Sequence, residues 1–119
     1  MELNISKCTY EGQWFHFGDG RLKIRPYPAS KQSFSYRDGA VLVPGSAAMD
    51  KFKFCLMEWD SFVQPGTKDP IELTDEVKTK IFDFKLGTAV IDGEEVSMAD
   101  FVLMKADDLF RLKGEAEKN

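Results

Sequence analysis

The sequence predicts an α+β domain, an N-terminal antiparallel β-hairpin or small sheet followed by about three packed α-helices. Three observations carry this. Trp14, Phe15 and Phe17 run into Gly18-Asp19-Gly20 and are answered by Arg21-Leu22-Lys23-Ile24-Arg25, the alternation and turn chemistry of a hairpin. From residue 46 onward apolar residues recur mostly at helical spacing. Ser46, Thr74 and Ser97, residues suited to opening a helix, each precede such a run.

With 119 residues, the chain has the length of one ordinary domain. Its 10 Phe and 2 Trp supply a core. The β-rich part spans about residues 10–45 and the helical part about 46–113, with a charged tail at 114–119 expected to fray.

Within the hairpin, Leu22 and Ile24 point to one face and Arg21, Lys23 and Arg25 to the other. Pro26 and Pro28 end the pairing, since proline cannot donate to a ladder. Residues 40–43 read as a short strand stopped by Pro44-Gly45, and the sequence leaves open whether it joins the first hairpin. A central helix is expected from Ser46 to about Trp59, with Ala48, Phe52, Cys55, Leu56 and Trp59 on its main stripe and Phe54 and Met57 widening it.

After the Pro65-Gly66 turn, Thr74 caps the next helix, and Asp75 and Glu76 favour its positive end. Val77, Ile81 and Phe84 form its expected buried stripe, and Gly87 suits the position after its end. Residues 88–95 fit a small hairpin or a loop around Asp92-Gly93. Ser97-Met98-Ala99-Asp100 resembles a capping box, and the last helix should bury Met98, Val102, Ala106 and Leu109.

The formal charge is −4, and its acidic excess lies after residue 50, which argues against a broad phosphate-binding face. Cys8 and Cys55 are too few for a disulfide scaffold, and neither belongs to a CxxC pair. The first ten residues hold no continuous apolar run, and the longest such runs are four residues, so neither a secretion signal nor a membrane span is expected. A reduced, cytoplasmic protein is the expectation.

The single His16 leaves metal and catalytic-triad chemistry without partners, so neither metal nor cofactor is expected. The carboxylates show no recognisable catalytic pairing, and Asp75, Glu76 and Asp100 are explained as helix-start residues; the protein is read as non-enzymatic. Gly18-Asp19-Gly20 lacks the strand-to-helix context of a phosphate loop. Two surfaces remain. Phe54, Met57, Leu103, Phe110 and Leu112 lie beside the main helical stripes, where adaptable Met and Phe surfaces suit partner binding. Trp14 with Arg21, Lys23 and Arg25 forms the alternative, a basic hairpin for single-stranded nucleic acid or a regulatory role.

An apolar segment ending in Trp59-Asp60-x-x-Val63, a turn, Pro70-Ile71-x-Leu73-Thr74-x-Glu76, and a last helix with Phe101, Lys105 and Ala106 follow in order. Together with Leu22-Lys23-Ile24-Arg25-Pro26 near the front, this order resembles the small tail assembly chaperones encoded by long-tailed phages and prophages. The resemblance implies a non-catalytic protein of the bacterial host cytoplasm that binds the long helical tape-measure protein and helps recruit tail-tube subunits. It implies structural roles for Trp59, Val63, Ile71 and Thr74, no catalytic residue, and no membrane partner.

Overall fold

The computed structural model describes residues 1–3, 5, 11–31, 35–37, 40–42 and 45–117; for 35–37, 40–42, 45–46 and 112–117 the description is of the backbone only. The fold is α+β. The first hairpin joins β1 (Gln13–Phe17) to β2 (Gly20–Ile24), with Phe15 opposite Leu22 and His16 opposite Arg21. β3 (Ser35–Arg37) and β4 (Ala40–Leu42) form a separate two-stranded hairpin, so β4 does not extend the first one; residue 43 of the expected strand lies outside the described residues.

The central helix departs from expectation. α1 (Gly45–Cys55) ends four residues before Trp59, and the chain passes without a linker into β5 (Leu56–Asp60). β5 lies antiparallel to β2 and completes a three-stranded sheet in the order β1-β2-β5. Arg21 pairs with Asp60, Leu22 with Trp59, Lys23 with Glu58, and Ile24 with Leu56. Met57 is therefore an extra residue on β5, a bulge.

The physical reason is a set of distant donors at the helix end. The last carbonyls of a helix have no partner within it. Here the Arg25 Nε donates to Phe54 O at 2.8 Å, and the Arg25 backbone N–H donates to Cys55 O at 3.0 Å. Lys78 Nζ donates to Lys53 O at 2.8 Å and Leu56 O at 2.6 Å. Cations also suit the negative end of a helix. Once its carbonyls are satisfied from outside, the chain is free to extend along the open edge of β2.

Trp59 then holds the following turn. Its indole Nε1 donates to Ile71 O at 2.8 Å, and its ring stacks on Phe62 at 4.7 Å. Val63 and Pro70 form an isolated bridge across the loop. Gly20 makes room for this arrangement, because a Cβ there would lie 2.6 Å from the Phe62 ring and 2.9 Å from Asp60 O.

α2 (Asp75–Phe84) starts as expected, with the Thr74 hydroxyl accepting from Val77 N–H at 3.2 Å. Ile81 is buried and Val77 half-buried, but Phe84 is largely exposed, contrary to the expected stripe. The helix stops at Lys85, which takes the left-handed conformation at φ 51° two residues before Gly87, so Phe84 is its last residue and has no further turn beyond it. Residues 88–95 contribute to a hairpin, β6 (Thr88–Ile91) with β7 (Glu94–Ser97), closed by Asp92 and Gly93 at positive φ.

α3 (Met98–Glu117) begins on the Ser97 hydroxyl, which accepts from Asp100 N–H at 3.3 Å. It runs through Gly114 to Glu117, where the tail is expected to leave the helix. Met98, Val102, Ala106 and Leu109 are buried, as their spacing predicts, and Phe101 joins them. The core lies between the sheet and the helices. Phe101 meets Phe15 and Phe17 from the sheet, while Phe52 of α1 meets Phe82 of α2. Lys51 on α1 is tied to Asp107 on α3 by an ion pair. No helix among the described residues is long and apolar enough to cross a membrane.

Candidate protein-binding surfaces

The sheet has an inner face on the helices and an outer face in solvent. On the outer face two cross-strand rows repeat one chemistry: Trp14, Lys23, Glu58 and His16, Arg21, Asp60. Arg21 bonds Asp60 at 2.7 Å, and its guanidinium lies 4.8 Å from the Trp14 ring centroid. That hydrogen bond is the main cause holding the Asp60 carboxyl below its ordinary value, with Ser61 adding further hydrogen bonds. Lys23 reaches Glu58 at 3.2 Å. The basic stripe expected on β2 is thus faced by a matching acidic strand.

Sequence reasoning missed that match because it placed Glu58 on a helix. Alternation of Leu56, Glu58 and Asp60 with Met57 and Trp59 was the available signal, obscured by the helical spacing of the residues before it. Arg25, the third cation of the stripe, turns inward to the α1 end. Its guanidinium carbon sits 3.7 Å from the Phe54 ring centroid.

The expected partner-binding residues separate into different environments. Phe54 is half-buried under Arg25, with the Lys31 ammonium 4.9 Å from its centroid and Tyr27 edge-on at 5.6 Å. Such cation–ring contacts stabilise the fold locally and occupy the ring. Met57 lies at the bulge with its sulfur against Gly12, where a Cβ would approach to 2.6 Å. Leu103 is half-buried against the core. Phe110, one heptad later and on the same side of α3, keeps 45% of its surface exposed. Leu112 falls outside the residues whose side chains are described.

The most exposed large apolar side chains among the described residues after 60 were not among the expected binding candidates, and Phe84 was expected on the buried stripe of α2. Phe84 is 72% exposed, Leu86 49% and Val90 73%, all within seven residues. Cys55 is a buried free thiol, and burial pushes its pKa up to about 12, the nearby Lys51 and Arg25 opposing that rise. Among the described residues, no three His, Cys, Asp or Glu side chains gather as metal ligands would.

Compared with known proteins, the chain matches no family model, no curated protein and no solved structure. The fold itself defines a small α+β protein, with exposed apolar side chains on its helices and on β6 among the described residues.

Proposed function

We propose that the protein is a non-catalytic phage or prophage tail assembly chaperone that binds a long helical tail protein of the tape-measure type. In this reading it works in the bacterial host cytoplasm and assists the recruitment of tail-tube subunits. The observation that carries the binding part is the exposure of Phe110 beside half-buried Leu103 on one side of α3. Helix faces of this kind accept apolar residues of an amphipathic partner. The tail assignment rests on the motif order from Trp59 to Glu76 and in α3.

Co-expression with the proteins encoded beside the gene, followed by affinity capture and mass spectrometry, tests it. Recovery of a long, helix-rich tail protein is the expected result. Its absence from a tail gene neighbourhood in which both proteins are expressed overturns the reading.

A further inference from the structure

The apolar residues Phe84, Leu86 and Val90 span the end of α2 and the outer face of β6. Val90 stands opposite Glu95 on β7, and both are exposed. Asp83 and Asp92 are exposed in the same stretch, in which Lys85 is the single base between residues 83 and 97, whereas Glu94, opposite Ile91, lies on the other face of the hairpin. None of Asp83, Asp92 and Glu95 is in an ion pair among the described residues. On the three-stranded sheet, by contrast, the exposed acids Glu58 and Asp60 are matched by Lys23 and Arg21.

Apolar surface rimmed by unmatched charge of one sign is complementary to a segment with the opposite sign around an apolar stripe. The β6–β7 hairpin also pairs with no third strand among the described residues. We propose that residues 83–95 form a docking surface for a basic amphipathic segment of a partner polypeptide. Its apolar side chains cover Phe84, Leu86 and Val90, and its lysines or arginines meet Asp83, Asp92 and Glu95. The inference rests on the protein-binding reading above only in taking the partner to be a polypeptide, and it locates the contact away from Phe54 and Phe110.

The test uses the full chain and two synthetic amphipathic peptides of equal length with Leu at helical spacing, one with Lys and one with Glu at the remaining positions. Binding is followed by titration calorimetry and by amide chemical shifts. The Lys peptide is expected to bind, to shift amides within 83–95, and to weaken as salt is raised. F84S/V90S should weaken it by at least about tenfold while the fold is retained, because both side chains are mostly in solvent. D83K/E95K, which leaves the apolar residues in place, should also weaken the Lys peptide and strengthen the Glu peptide.

Equal binding of both peptides, or shifts confined to α3, overturns the proposal. So does a wild-type dimer that F84S/V90S dissolves and the Lys peptide leaves intact, since a second copy would then be the occupant. The tail assignment fails separately. Binding at 83–95 without capture of a tail protein sinks that assignment and keeps this surface, whereas undiminished capture by F84S/V90S does the reverse.

Discussion

The Lys78 ammonium lies 2.6 Å from the carbonyl oxygen of Leu56, the first residue of β5, and 2.8 Å from that of Lys53. One side chain of α2 thereby joins the end of a helix to the start of a strand. Burial lowers the Lys78 pKa from its ordinary value, with Arg25 adding to the effect, so holding the charge there has a cost. Asp75 opposes the shift without cancelling it.

Lys78→Met keeps much of the apolar stem and removes both donors. A destabilisation of about 1–3 kcal/mol is expected, the range for hydrogen bonds to a charged group and for carbonyls left unpaired. Urea unfolding measures it. A change within error would mean that water replaces the ammonium without loss.

The Cys55 thiol gives a pH prediction. Its folded pKa is about 12 against an ordinary 9.0, so the folded chain holds the proton more tightly than the unfolded chain. The associated stability is complete below about pH 9 and declines as pH rises towards 12. Thermal melts of wild type and Cys55→Ala across this range should diverge, with the wild type losing more on alkalinisation. Parallel curves would remove the thiol as the cause.

Gly20 is demanded by closeness rather than by an unusual backbone angle, since Phe62 and Asp60 O crowd the place of a Cβ. Gly20→Ala should therefore destabilise by about 1–3 kcal/mol, the usual cost of overpacking. Near-ultraviolet circular dichroism should also change, because the displaced ring is stacked on Trp59.

Phe54 and Phe110 should respond differently to serine. Phe54 lies under Arg25 and Tyr27, and Phe54→Ser is expected to cost about 2 kcal/mol, less than a fully buried Phe. Phe110→Ser should cost under about 1 kcal/mol, in keeping with a side chain half in solvent. Denaturant midpoints with unchanged slopes would check both.

Features with local causes were legible in the sequence. The hairpin turn at Gly18-Asp19, the Thr74 cap and the Ser97 cap are each built by residues within a few positions. The buried face of α3 followed from a period that its neighbours did not disturb. The end of α1 was illegible because no glycine or proline marks it. Arg25 and Lys78, 29 and 25 residues away from their carbonyl partners Phe54 and Lys53, impose it.

The binding candidates show the same division. Spacing identified Phe54 as lying off the main stripe, yet it could not foresee that the segment after β2 would return to cover it. Periodicity continued the stripe of Val77 and Ile81 to Phe84, but the helix ends there and the ring is exposed.

The direct passage from Cys55 to Leu56 bears on how the chain folds. The third strand must find a neighbour 39 residues upstream at Arg21–Asp60, and it does so with a helix fixed to its first residue and a lysine from a later helix at the joint. Closing so long a loop costs entropy before the pairing rewards it. The sheet and the helical layer should accordingly assemble in one concerted step, at a pace set by this distant pairing rather than by the speed at which the individual helices wind.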